Sequence, residues 1–154
     1  MISCTRTDSA NTDFQLLVNL LDRYLMGING DNHNFFDQFN KIDKIKHVVM
    51  LYLDGQPAGC GAIKEYQPGI MEVKRMFVAP AARGKGLATV VLRELETWAA
   101  ELDYNKCILE TGDIMPDAIA LYKKNGYISI PNYGQYVGVQ SSVCFEKQLR
   151  VEGL

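Results

Sequence analysis

Phe14, Leu17, Val18, Leu21, Leu25 and Ile28 recur at helical spacing behind the capping cluster Asp8-Ser9-Ala10-Asn11, and Gly27 and Gly30 close the run. The stretch reads as a long amphipathic helix. Met1 to Arg6 precedes it as a short first strand, and "NHNFFDQFNKIDK" follows as a second, shorter helix with Phe35, Phe36 and Phe39 on its apolar side. The pattern then becomes extended. "KHVVMLYL", the turn "DGQP" and "AGCGAIKEY" predict a hairpin about an Asp-Gly turn, and Gln67-Pro68-Gly69 leads into a third strand, "IMEVKRMFV".

From Gly84 the helical period returns, with Leu87, Val91, Leu95, Trp98 and Leu102 on one side and Arg93, Glu94, Glu96 and Glu101 mostly elsewhere. "NKCILET" is a buried strand. "PDAIALYKKNGY" is a helix with Pro116 in its first turn and Gly126 at its end, and "YISI" and "SSVCFEKQL" supply two last strands. The order β-α-α-β-β-β-α-β-α-β-β predicts a mixed α/β (α+β) sheet, antiparallel in the meander and parallel where helices connect neighbours.

Composition narrows the class without choosing a function. A chain of 154 residues is one domain's worth, and 47% hydrophobic with 22% charged residues is the balance of a folded globular protein. Net charge is -2 with basic residues dispersed among acids, so no nucleic-acid footprint stands out. The N-terminus lacks a basic segment followed by an apolar run, and no membrane-length apolar stretch occurs, which reads as cytoplasmic with no membrane partner. Cys4, Cys60, Cys107 and Cys144 are far apart with no CxxC pair, so they read as reduced thiols packed as small hydrophobes, with no metal. His33 and His47 are lone histidines without a ligand partner at useful spacing.

The chemistry gathers in "VKRMFVAPAARGKGLATVVL", residues 73 to 92. Between a strand ending near Ala79 and a helix starting near Gly86 lie Arg83, the backbone amides of Gly84 to Ala88 and the positive end of a helix dipole. Such a turn suits a small, locally gripped phosphate, because glycine lets the anion come close to free N–H groups; a glycine turn without a ligand has the same residues. A Walker loop lacks its spacing here, and a dinucleotide fingerprint lacks its third glycine.

Arg83-Gly84-Lys85-Gly86-Leu87-Ala88, behind an apolar strand and Pro80, resembles the signature of the GNAT N-acetyltransferase superfamily: Gln or Arg, two residues, Gly, one residue, Gly or Ala. "AIALYKKNGY", residues 118 to 127, is similar to the family's second helical motif, and the predicted element order agrees over nearly the whole chain. The resemblance implies the GNAT-like acyl-CoA N-acyltransferase fold and acetyl-CoA as donor. Its pyrophosphate would lie on the amides of Gly84, Lys85, Gly86, Leu87, Ala88 and Thr89, with Arg83 at the start of the loop. The pantetheine arm would run beside the backbone of Phe77 and Val78, where a strand amide can also meet the developing oxyanion. The family's Asn three residues before the helix alanine, a contact for that arm, is replaced here by Met115.

Acetyl transfer to an amine needs a proton acceptor for the ammonium, and the leaving thiolate benefits from a donor. By resemblance, Tyr122 is the general acid, one turn before a helix-ending glycine, though its spacing also fits a packed helix face. Glu72, six residues before Val78, matches the family's base, usually acting through water; strict alternation puts Glu72, Lys74, Met76 and Val78 on one face. Glu110, late in "CILET", is the other candidate. Tyr133 and Tyr136 in "IPNYGQYVG" line the acceptor side by analogy, or anchor the loop. The expected activity is direct transfer of acetyl to a primary amine, in a small molecule or peptide, and the family's homodimers extend to this chain as an option. The rival readings are a CoA or acyl-CoA binding module of the same fold without turnover, and a nucleotide-binding domain.

Overall fold

The structure, a computed structural model, describes residues 1–29 and 44–149, excluding the side chains of Ile28 and Asn29. The expected second helix and His33 lie outside the described residues, save for Lys44 at the end of that stretch.

Strands β1 (Ile2–Thr7), β2 (His47–Leu53), β3 (Gln56–Gln67), β4 (Ile70–Val78), β5 (Lys106–Gly112), β6 (Ile128–Ile130) and β7 (Ser142–Gln148) form one mixed sheet, in the order β1-β2-β3-β4-β5-β7-β6. Helix α1 (Thr12–Asn29) follows β1, α2 (Leu87–Glu101) follows β4, and α3 (Pro116–Lys124) follows β5. β4 and β5 run parallel, while β1 with β2, β2 with β3, β5 with β7 and β6 with β7 are antiparallel. This is the α/β arrangement expected from the alternation of periods.

Local chemistry accounts for the element ends. Asn11 caps α1, its Oδ1 accepting from the Phe14 amide at 2.9 Å. Asp54 and Gly55 have φ of 51° and 83°, the two left-handed residues that a tight hairpin turn requires.

The chain forms two compact units. The first comprises residues up to Lys64 together with Lys74–Leu95; the second comprises Glu65–Val73 and the chain from Glu96 onward. In the first, Phe14, Leu17, Val18 and Leu21 of α1 cluster with Val48, Met50, Cys60, Ala62 and Phe77. The residues alternating with Cys60 and Ala62 are glycines, because α2 passes directly over them. A Cβ on Gly61 would lie 2.6 Å from Met76 Sδ, 2.7 Å from Leu95 Cδ1 and 3.0 Å from Val91 Cγ1. In the second unit, Cys107, Leu109 and Phe145 are buried along β5 and β7.

Three expectations change. The buried side of α2 includes Leu92 and Ala99, whereas Leu102, one residue past the helix, is 38% exposed. Glu96 is buried, where Lys147 Nζ reaches its Oε1 at 2.8 Å. Cys4 is exposed on β1 rather than packed, while Cys60, Cys107 and Cys144 are buried free thiols.

Gly61→Ala should overpack this contact and lower stability by about 1–3 kcal/mol in chemical denaturation. Gly27→Ala, with nothing within 4 Å of the new Cβ, should stabilise α1 by up to about 1 kcal/mol; equal midpoints for the two variants would contradict the packing described.

Candidate active site

In the first unit, the turn into α2 is built by Gly84 and Gly86, with φ of 82° and 73°. Both are exposed, and nothing lies within 4 Å of where a Cβ would stand, so the approach to the backbone is open. The Val90 amide donates to Gly86 O at 3.4 Å, so the amides of Leu87 and Ala88 precede the first helical hydrogen bond and face the positive end of the dipole. Arg83 begins this turn. Its Nε donates to Val78 O at 2.9 Å, and its guanidinium lies 5.2 Å from the Tyr24 ring centroid and 5.5 Å from that of Phe77. The expected cofactor residues Phe77, Val78 and Arg83 are therefore in mutual contact, and the Val78 carbonyl is engaged by the arginine.

β4 departs from ideal alternation. Arg75 has φ of 58° within the strand, and Met71 to Arg75 are all buried. A left-handed residue inside a strand marks a bulge, so the expectation that Glu72 shares a face with Met76 and Val78 does not carry across residue 75. The recorded ladder with β5 joins Ile70, Met71 and Glu72 to Lys106, Cys107 and Ile108.

In the second unit, Tyr122 is fixed by the end of α3. Gly126, with φ of 93°, lets the Tyr127 amide reach Tyr122 O at 3.0 Å and the Gly126 amide reach Lys123 O at 3.1 Å. This is the paired hydrogen-bond stop of a glycine-terminated helix, with its usual apolar contact in the Tyr122–Tyr127 rings 5.7 Å apart. Tyr122 is 6% exposed. Burial, and then the charge of Glu110, push its hydroxyl well above the usual tyrosine range. Met115, at the start of α3, makes no side-chain capping bond; Thr111 Oγ1 lies 3.9 Å from its sulfur.

Glu72 and Glu110 belong to the same neighbourhood. Register sets Glu72 beside Ile108, two residues before Glu110, and Glu110 opposite Cys144 of β7. Tyr133 donates its O–H to Glu72 Oε2 at 2.6 Å, and Ser142 donates to Glu110 Oε2 at 2.7 Å. Beyond burial, the charges of Glu110 and Glu72 both hold the Tyr136 hydroxyl above its usual range. Cys144 is pushed up to about 11, by burial first, with both carboxylates adding to the effect.

The structure thus gathers Tyr122, Glu110, Glu72, Tyr133 and Tyr136 in one unit and residues 77, 78 and 83–89 in the other. Sequence reasoning missed Ser142, Cys144 and Tyr66, whose ring lies 5.1 Å from that of Tyr133. Ser142 and Cys144 are legible only once β7 is registered against β5. Among the described residues, no group of three or more His, Cys, Asp or Glu could hold a metal ion, and no helix is long and apolar enough to cross a membrane.

The sequence profile of the Acetyltransferase (GNAT) family matches residues 14–127. The chain belongs to the GNAT acetyltransferase family. It is 35% identical over 136 residues to an "IAA acetyltransferase" of Azospirillum brasilense, covering 86% of this chain and 88% of that protein. A Klebsiella pneumoniae subsp. pneumoniae structure, assigned as an acyl-CoA N-acyltransferase, superposes with a TM-score of 0.83 at 28% identity, covering 97% of this chain and 99% of that one. PaiA N-acetyltransferase from Thermoplasma acidophilum, solved in complex with coenzyme A, shares the fold at a TM-score of 0.71 and 16% identity over 96% of this chain and 99% of its own. This GNAT chain is accordingly an acetyl-CoA-dependent acyltransferase.

Two outcomes test the site's construction. Gly126→Ala should cost about 1–2 kcal/mol in denaturant unfolding, since φ of 93° is unfavourable for any residue with a Cβ. Cys60 and Cys107 are each pushed up to about 12 and Cys144 to about 11, chiefly by burial. At pH 8 these three should therefore remain protonated and unmodified by an alkylating reagent. Intact mass should show a single adduct at Cys4, formed more slowly than on a free thiol because its own shift is also upward.

Proposed function

We propose that this GNAT enzyme transfers acetyl from acetyl-CoA to a primary amine by direct attack in a ternary complex. The observation that carries the reading is the convergence of a firmly protonated tyrosine, Tyr122, with two carboxylates, Glu72 and Glu110, around one stretch of β5. An amine acceptor arrives as an ammonium and must lose a proton before it can attack. Glu72, buried and held by Tyr133, is the base, with Glu110 the alternative. The C–N bond forms as the C–S bond breaks, and the sulfur departs toward a proton donor. Tyr122 keeps its proton throughout the neutral range, so it donates to the departing thiolate and cannot serve as a base.

Direct attack is favoured over a cysteine-bound acetyl intermediate by the state of the nearby thiol. Cys144 stays protonated until about pH 11 and is a poor nucleophile under working conditions. For the donor, the amides of Gly84 to Thr89 would take the pyrophosphate, with Arg83 at the loop entrance, and the strand backbone at Phe77 and Val78 would follow the pantetheine arm. A relative named for IAA favours a small molecule as acceptor over a protein. Free thiols at all four cysteines agree with a cytoplasmic setting.

Tyr122→Phe should lower kcat by about 10²-fold or more with little change in the KM for acetyl-CoA. The loss should be uniform between pH 6 and 9, because the hydroxyl does not titrate there. Unchanged turnover with an amine found by a thiol-release screen would remove Tyr122 from its role. Acetyl-CoA at about 100 times its Kd should stabilise the fold by about 2.7 kcal/mol, and Gly86→Val should abolish most of that thermal shift; no shift at millimolar acetyl-CoA in the parent protein would overturn the cofactor assignment.

A further inference from the structure

The loop between β6 and β7 sends one tyrosine to a carboxylate on another strand. Tyr133 Oη lies 2.6 Å from Glu72 Oε2, a short hydroxyl–carboxylate hydrogen bond linking residues 61 positions apart. Glu72 is 8% exposed, so its charge is largely out of water and depends on such donors for stabilisation.

The tyrosine is itself held in place. The Tyr66 ring stands edge-on to Tyr133, with centroids 5.1 Å apart, and Tyr136 packs on Tyr133 at 5.6 Å with an interplanar angle of 85°. Gly134 makes the first contact feasible. A Cβ there would stand 3.0 Å from Tyr66 Oη, and its φ of 52° turns the chain immediately after Tyr133. Three rings and one glycine thus keep a single hydroxyl on a single oxygen.

We propose that Tyr133 is a positioning residue for Glu72, holding its carboxylate in one orientation for proton abstraction. This rests on the reading of Glu72 as the base. A hydroxyl donating to one carboxylate oxygen fixes the plane of the carboxylate and leaves the other oxygen to meet an acceptor ammonium. Glu110 of β5, Cys144 of β7 and the hydroxyl of Tyr136 are among the described titratable groups of the same neighbourhood; the Lys106–Glu146 pair, at 2.9 Å, lies along β5 and β7, with Glu146 in register with Ile108. Tyr133 itself is held protonated, by burial and then by Glu72, so it remains a donor at every working pH.

The test is Tyr133→Phe, which keeps the ring contacts and removes the hydroxyl. Glutamate carboxyl signals are followed by carbon-13 NMR in labelled protein, with the Glu72 resonance assigned through Glu72→Gln. Tyr133→Phe should move the Glu72 carboxyl resonance at fixed pH, because a donated hydrogen bond is lost, and should lower kcat for CoA release with a screened primary amine by about 10-fold with little change in the KM for acetyl-CoA. In a Glu72→Gln background, Tyr133→Phe should add no further loss. An unmoved Glu72 resonance in a folded Tyr133→Phe protein overturns the proposal, as does a moved resonance with unchanged kcat. Full turnover by Glu72→Gln would instead overturn the assignment of the base, and the NMR shift would show the Tyr133–Glu72 coupling separately.

Discussion

A left-handed residue in the middle of β4, Arg75, is the constraint on which the course of that strand depends. Holding a non-glycine residue in that region costs about 1–3 kcal/mol unless its surroundings over-determine it. At Arg75 they do. Its buried guanidinium reaches Asp22 of α1 at 2.7 Å, and its carbonyl accepts from Cys60 Sγ at 3.4 Å. The bulge ends the simple alternation of the strand. Upstream, Glu72 is in register with β5 and its acidic neighbours; downstream, Phe77 and Val78 meet Arg83 at the mouth of the glycine turn. The side-chain register before residue 75 therefore does not govern the register after it.

Much of this was legible in the sequence because it follows from periodicity and turn chemistry. The Asp54-Gly55 turn, the Asn11 cap and the Gly126 stop are local rules, and each fixed an element boundary correctly. The GNAT signature around Gly86 was readable for the same reason: a left-handed turn at a helix mouth has few residue solutions. The face of Glu72 was not readable, since Arg75 carries no local preference for φ of 58° and only contacts with Asp22 and Cys60, far away in sequence, hold it there.

The neighbourhood of Tyr122 and the two glutamates shows the same division. Tyr122 and the two glutamates could be nominated one by one from spacing and resemblance, but their joint environment depends on which strands pair. Glu110 gains Ser142 and Cys144 as neighbours through the antiparallel register of β5 with β7, and Glu72 gains Tyr133 through a loop. Tyr66 sits at the end of β3 with nothing in its own segment to mark it. Its role appears only when Gly134, which leaves room for its hydroxyl, is brought beside it.

The stacking of Arg83 has a thermodynamic meaning beyond its contacts. A long, rotamer-rich side chain immobilised on ligand arrival loses about 0.5–1.5 kcal/mol of the gain from binding. Here the guanidinium is flanked by the rings of Tyr24 and Phe77 and tied through Nε to Val78 O. The entropy of ordering this side chain is therefore lost when the chain folds, and the position of the positive charge beside the Gly84–Gly86 turn is set by the protein's own contacts.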